Sequence, residues 1–258
     1  MPQAYTIITG ASRGIGAAYA RAFAARGHAL ILAARSEHDL GEVAESCRRD
    51  HKVEVTTVIC NLATREGVET LCQAAQGLPI GMLINNAGIG LGRAFAHQDP
   101  DQLDEMLALN VQAPTRLIRK LLPQLIEQRG TIINVASQAG FQPVPYMASY
   151  AASKSYLLHL SEALHQEFMA DGVHVLAVCP AATDTAFFKV ANMSAQKTHF
   201  SVGTVDEVVD TTLQALARKQ SFIIPGWRNK CMTFLGRFAP RAMIAKMAGG
   251  LVGEAHRN

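Results

Sequence analysis

The 258-residue sequence contains no C-x-x-C pair, no H-E-x-x-H motif and no run of 18 uncharged apolar residues, and each absence removes a class of protein. Its five cysteines, Cys47, Cys60, Cys72, Cys179 and Cys231, are scattered and odd in number. They suggest neither a disulfide framework nor a zinc site; buried free thiols in a reducing compartment are expected instead. The nine histidines show no ligand spacing, so no metal site is expected, and His159 and His165 read as partner-facing or solvated. Without a long apolar run, no helix is expected to span a membrane. The opening residues, MPQAYTIITG, have neither the charged n-region nor the apolar h-region of a signal peptide, which makes a cytoplasmic protein the expectation. With 49% hydrophobic and 17% charged residues, a disordered or collagen-like chain is excluded.

The formal net charge of +3 is unevenly spread. Residues 226–258 hold six basic residues and one acid, Glu254, for +5, whereas residues 1–225 hold 18 basic and 20 acidic residues, for −2. A slightly acidic body whose basic residues form no reading motif argues against nucleic-acid binding. In the tail, Met232, Leu235, Phe238, Met243, Ile244, Met247 and Leu251 recur roughly every three or four residues with basic residues between. One or two amphipathic helices broken at Pro240 are predicted. This pattern suits a helix packed on the protein or on a partner subunit, and also peripheral membrane contact through 226–258; both readings stay open.

Short apolar runs alternate with longer helix-like stretches. The runs are 4–9, 28–34, 52–60, 81–85, 130–136, 172–179 and 221–225, with helices expected near 14–26, 38–50, 64–76, 100–128, 149–170 and 204–219. This is the βαβ rhythm of a parallel sheet, and the nearly continuous apolar character of the runs fits strands covered on both faces. The fold class is therefore α/β, a doubly wound parallel sheet of about seven strands with helices on both faces. No linker divides the chain, so 1–225 is expected to form one domain and 226–258 a helical appendage.

The first run leads into Thr9-Gly10-Ala-Ser12-Arg13-Gly14-Ile15-Gly16 and then a helix-like stretch. Glycines permit a tight turn and close approach of a pyrophosphate, while a helix N-terminus offers free N–H groups and partial positive charge. The spacing G-x-x-x-G-x-G differs from the more familiar G-x-G-x-x-G, but its place between strand and helix points to a dinucleotide. An acidic residue ending the second strand would hydrogen-bond a ribose 2′-OH and repel a 2′-phosphate. Here Ala34 is followed by Arg35, and Arg13 is a second guanidinium, so NADP(H) is favoured over NAD(H).

Tyr150-Ala-Ala-Ser-Lys154 places a phenol and an ammonium four residues apart on one helix face. A nearby cation favours the phenolate, so such a tyrosine can serve as general acid or base near neutral pH. Ser137 ends the run GTIINVA, at a strand end where open α/β sheets bind ligands. On TGASRGIG (9–16), Asn85-Asn86-Ala87-Gly88, Asn110, Ser137, Tyr150 and Lys154, residues 4–225 resemble the short-chain dehydrogenase/reductase family, which has a Rossmann-type fold. The resemblance implies an NADP(H)-dependent oxidoreductase moving a hydride between nicotinamide and a carbonyl or secondary alcohol. It makes Tyr150 the proton donor or acceptor, Ser137 a hydrogen-bonding partner of the substrate oxygen, Lys154 the residue that holds the nicotinamide ribose and lowers the tyrosine pKa, and Asn110 the holder of a relay water. The glycine turn, Arg35, Leu62, Asn86, Ala87 and Gly88 are implied in cofactor binding together with Tyr150 and Lys154.

Two departures bear on the cofactor. Asn61 stands where the family usually has an adenine-binding Asp; its carbonyl can still accept that bond. Pro180-Ala181 replaces Pro-Gly, which restricts the backbone if φ must be positive there, although Thr183 and Thr185 follow and Thr185 matches the residue that bonds the carboxamide. By the same resemblance, Phe141, Val144, Tyr146, Met147, Phe187, Phe188 and Met193 line an apolar substrate cleft. No arginine pair in those stretches grips an anion, so a lipophilic ketone, aldehyde or secondary alcohol is expected. The resemblance also implies a homodimer or homotetramer. Two rivals remain: a non-catalytic NADP(H) sensor, and a membrane-surface relative acting on lipid-like substrates.

Overall fold

The computed structural model describes residues 4–181 and 203–253, which carry a seven-stranded parallel sheet. Its strands are β1 (Tyr5–Thr9), β2 (Ala29–Ala34), β3 (Val55–Ile59), β4 (Ile80–Asn85), β5 (Thr131–Val135), β6 (His174–Val178) and β7 (Phe222–Ile223). The hydrogen-bonded order is 3-2-1-4-5-6-7, so the winding reverses between β1 and β4. That reversal opens a crevice at the carboxyl ends of the strands, where ligands of doubly wound sheets bind.

The helices are α1 (Gly14–Ala24), α2 (Glu37–His51), α3 (Arg65–Ala74), α4 (Pro100–Leu107), α5 (Ala113–Glu127), α6 (Ala148–Glu167), α7 (Val205–Ala217), α8 (Trp227–Gly236) and α9 (Arg241–Gly253). α1, α2 and α7 cover one face of the sheet with Tyr19, Phe23, Leu40 and Val208; α3, α5 and α6 cover the other with Leu71, Leu117, Leu121 and Leu164. Strands buried from both sides explain the continuous apolar runs: all six residues of β2 are buried. Local chemistry sets the helix starts. Ser36, Thr64, Asp99 and Thr204 accept N–H bonds from the first turns of α2, α3, α4 and α7.

The helix expected over 100–128 is divided. α4 ends at Leu107, a π turn spans Ala108–Gln112, and α5 begins with Pro114 in its first turn. Asn110 in that turn is bonded to the backbone of Ile89, and the wider turn aims its side chain there. His165 is half-buried, its Nδ1 2.9 Å from the carbonyl oxygen of Val175 and its ring edge-on to His174. His159 is exposed and within 2.8 Å of Ser155 O. Cys47, Cys60 and Cys179 are buried thiols as expected, but Cys72 is half-buried and Cys231 exposed. The tail forms two helices separated at Pro240, and no helix among the described residues is long and apolar enough to cross a membrane.

One buried bond joins α1 to α7: Tyr19 Oη lies 2.7 Å from Thr212 Oγ1. Tyr19→Phe removes one partner of that pair, and a loss of about 1 kcal/mol in unfolding free energy is expected from urea denaturation.

Candidate active site

Because every strand is parallel, their carboxyl ends share one edge, and the sequence motifs gather there. Thr9 organises the first group. Its hydroxyl donates to Ile84 O (3.3 Å) and accepts the N–H groups of Asn86 and Ala87, each at 3.0 Å. Asn86 Nδ2 donates in return to Thr9 O (2.9 Å) and Gly10 O (3.1 Å). The Asn86 side chain is thus committed to holding the glycine turn. A Cβ at Gly16 would stand 2.2 Å from Gly10 O, so only glycine lets α1 start so close to the strand end. The N-terminus of α1 has no side-chain cap at Arg13 and no acidic residue in its first turn. Uncapped N–H groups, a positive helix end and a cradle without side chains fit a pyrophosphate.

Arg13 is exposed at this turn. Arg35, just beyond β2, is ion-paired through Nη1 with Glu105 Oε1 of α4 at 2.7 Å, both side chains being solvent-accessible. Asn61 Oδ1 accepts the Ala63 N–H at 3.1 Å, which leaves its second lone pair and the amide N–H groups facing outward from an exposed residue. Leu62 is buried against the sheet, so its backbone alone is available to a ligand. Ala181 is not among the residues with positive φ, and the methyl there is accommodated. Thr183, Thr185, Phe187, Phe188 and Met193 lie outside the described residues.

Ser137, Tyr150 and Lys154 come together on the far side of the crevice. Ser137 follows β5, and its Oγ accepts the Ala139 N–H at 3.1 Å, which fixes a tight turn over Gln138–Phe141. Tyr150 and Lys154 project from the first turns of α6, both buried. The Tyr150 hydroxyl hydrogen-bonds with Ser137; burial pushes its pKa up to about 12, with that bond opposing the rise. Lys154 Nζ donates to Val135 O at 2.8 Å and sits 5.9 Å from the centre of the Tyr150 ring. Burial brings its pKa down to about 8. Proximity of Lys154 to the phenol is therefore realised through the ring, while the group that eases ionisation of Tyr150 in this structure is Ser137.

Asn110 braces this half. Its Nδ2 donates to Ile89 O (2.9 Å) and Ser153 Oγ (3.1 Å), and its Oδ1 accepts the Ile89 N–H (3.0 Å). A Cβ at Gly88 would lie 3.0 Å from Asn110 Oδ1 and 3.3 Å from Lys154 Nζ, so glycine keeps the room between them. Of the expected pocket residues, Val144, Tyr146 and Met147 pack with Tyr150 and Met106 in one apolar cluster. Tyr146 holds φ at +67° while its carbonyl accepts the Arg93 N–H. Phe141 lies apart, ring to ring with Phe222 at 6.0 Å in a separate cluster under β7. The 138–141 turn swings its side chain there. Three features had no sequence signal: Glu105, the Val135 carbonyl, and Val252 of α9, which is 1% exposed and completes the cluster around Tyr150.

The family model for short chain dehydrogenase matches residues 4–196. The chain belongs to that family. Among curated members, the very-long-chain 3-oxoacyl-CoA reductase of Anas platyrhynchos is 34% identical over 200 residues, 75% of this chain and 64% of its own length. The chain thus spans less than two thirds of that relative. A short-chain dehydrogenase from Sphingobium yanoikuyae, solved in complex with NADPH, is 32% identical with a TM-score of 0.83, covering 93% of this chain and 97% of its own. The bulky-bulky ketone specific alcohol dehydrogenase of Comamonas testosteroni is 32% identical with a TM-score of 0.78, covering 94% and 97%. Solved relatives include NAD as well as NADPH complexes. The seven-stranded sheet and its flanking helices are those of the family fold, and a nicotinamide dinucleotide is the cofactor class to which the glycine cradle corresponds.

The buried ammonium has a thermodynamic signature. A lysine whose folded pKa is about 8 and whose unfolded value is 10.5 binds fewer protons folded than unfolded between those values, so stability rises with pH across that window. Compared with Lys154→Met, the wild type should gain up to about 3 kcal/mol of unfolding free energy from pH 8 to pH 10.5, measured by urea titration.

Proposed function

We propose that the chain is an NADP(H)-dependent reductase of lipophilic carbonyl compounds in which Tyr150 donates the proton to the substrate oxygen. The observation that carries this reading is the buried Tyr150 phenol, held protonated at neutral pH, hydrogen-bonded to Ser137 and walled by Val144, Met147, Met106 and Val252. A protonated phenol bonded to a second hydroxyl beside an apolar wall can hand its proton to a carbonyl oxygen, which suits carbonyl reduction. When bound, the nicotinamide supplies the hydride to the carbonyl carbon. The hydroxyls of Tyr150 and Ser137 then stabilise the charge developing on the oxygen, and Tyr150 passes its proton to it, giving the alcohol. Lys154, able to titrate near pH 8, stands behind Tyr150 to restore the proton and to hold the nicotinamide ribose. Asn110 holds the Ile89 backbone and places the relay water, while glycine at 88 leaves room beside the ammonium.

In this reading the Gly10–Gly16 turn and α1 hold the pyrophosphate, Asn61 with the Leu62 backbone the adenine, and the 86–88 loop the adjoining ribose. Pro180, Thr183 and Thr185 hold the carboxamide end. Arg13 and Arg35 take the 2′-phosphate, with Arg35 exchanging Glu105 for it. Residues 1–225 act as one cofactor-binding and catalytic domain and 226–258 as its appendage, and assembly into a homodimer or homotetramer accords with the family resemblance. Relatives named for very-long-chain 3-oxoacyl-CoA and for bulky ketones support a large apolar substrate. A pure sensor would need none of the Ser137, Tyr150 and Lys154 set, which counts against that alternative.

Tyr150→Phe should lower turnover of NADPH with a long-chain or bulky ketone by about 10²- to 10⁴-fold while leaving NADPH affinity nearly intact. Wild-type-like turnover in the variant would overturn the assignment. In fluorescence titrations, Arg35→Asp should reverse the preference from NADPH to NADH. Glu105→Gln, which frees Arg35 from its counter-ion, should tighten NADPH about three- to tenfold and leave NADH unchanged.

A further inference from the structure

α8 turns its large apolar side chains to solvent instead of packing them on the body. None of its residues is buried. Its contact with the rest of the chain is polar: Gln138 Nε2 donates to Asn229 O (3.2 Å) and Thr233 Oγ1 (3.0 Å). Its large apolar side chains point away. Trp227, Met232, Phe234, Leu235 and, in the turn after the helix, Phe238 are 57% to 76% exposed. α9 continues the pattern, burying Ala248 and Val252 towards Pro145 and the Tyr150 cluster while Met243 and Met247 face out. Elsewhere among the described residues, exposed large apolar side chains are scattered singly, at Ile59, Phe95, Tyr156 and Met169. Seven fall within about twenty residues, and exposed apolar side chains gathered in this way mark an interaction surface.

The charge around the patch selects the partner. Arg228, Lys230, Arg237, Arg241 and Lys246 are exposed between the apolar residues, and no Asp or Glu occurs from 226 to 253. A two-fold contact between copies would set these like charges against one another. An acidic, apolar surface satisfies both features, and no helix among the described residues is long and apolar enough to cross a bilayer. We propose that the outward face of α8 and α9 docks this protein on the surface of an anionic lipid bilayer, with the aromatic and Met side chains in the headgroup boundary and the basic residues on the phosphates. The inner sides of the same two helices contact the turn that follows Ser137 and wall Tyr150. A lipophilic substrate would then reach the cleft from the membrane without crossing water; this last step rests on the catalytic reading, whereas the docking does not.

Trp227 is the single tryptophan of the sequence and is exposed among these residues, so the unmodified chain reports its own binding. Vesicles of phosphatidylcholine containing phosphatidylglycerol should float the protein, shift the Trp227 emission to the blue and allow its quenching by brominated acyl chains. Raising the salt to about 0.5 M, or using phosphatidylcholine alone, should weaken binding at least about tenfold. The variant F234S/L235S/F238S should lose at least about tenfold in vesicle affinity with its melting midpoint and NADPH affinity unchanged. Should that variant misfold, the charge variant R228E/K230E/R237E should show the same loss on anionic vesicles. Absence of flotation and of the emission shift with the wild type overturns the proposal, as does a folded variant that binds like the wild type. A concentration-dependent doubling of mass, abolished by the same serine substitutions in a protein that ignores vesicles, assigns the patch to a subunit contact and also overturns it. Tyr150→Phe should bind vesicles like the wild type, so docking and catalysis fail or succeed separately.

Discussion

The crevice depends on one hydroxyl. Thr9 stands at the end of β1, where the winding of the sheet reverses, and it bonds at once to a strand carbonyl and to two successive N–H groups of the next loop. Backbone groups at a strand end have no ladder partners of their own, and leaving them unpaired in a covered crevice costs about 1–3 kcal/mol each. Thr9 settles that debt for Asn86 and Ala87, and Asn86 returns two bonds to the glycine turn. The two segments that would flank a dinucleotide are therefore locked to each other before any ligand arrives, which is the preorganisation that tight and oriented binding needs.

A second polar spine runs through the apolar interior on the side of α6. Asn85 Nδ2 donates to Asn134 Oδ1, Asn134 Nδ2 to Ser161 Oγ, and Ser161 Oγ to the Leu157 carbonyl. Asn85 and Asn134 face each other across β4 and β5, so α6 is fixed in register with the centre of the sheet. Near the start of the same helix, Asn110 bonds Ser153, whose hydroxyl donates to the Tyr150 carbonyl. Buried polar bonds add little net stability but specify one arrangement, because each misplacement leaves a group unpaired. Here the arrangement specified is the position of Tyr150 and Lys154 relative to Ser137.

The sequence made the strands and the Ser137, Tyr150 and Lys154 set legible for different reasons. Strands buried on both faces leave long apolar runs that need no partner to be recognised, and a phenol and an ammonium four residues apart declare a shared helix face. What stayed hidden depends on direction or on distance along the chain. Periodicity marked the tail helices but not which side of α8 faces the body, since Asn229 and Thr233, not the apolar residues, make its contact. The Glu105 partner of Arg35 lies 70 residues away on another element, and no local pattern encodes it. The π turn at Asn110 was masked by helix-compatible residues on both sides, and Phe141 is redirected by a tight turn shorter than any periodic signal.

The wall contributed by α9 has a consequence in time. Val252 closes the cluster around Tyr150 from about a hundred residues further along the chain. During synthesis the cofactor cradle, built from residues 9–16 and 86–88, can form while that wall is still inside the ribosome. Until α9 docks, the cluster around Tyr150 lacks Val252 on one side. Burial is what pushes the Tyr150 pKa up, and Val252 of α9 is one of the residues that supply it.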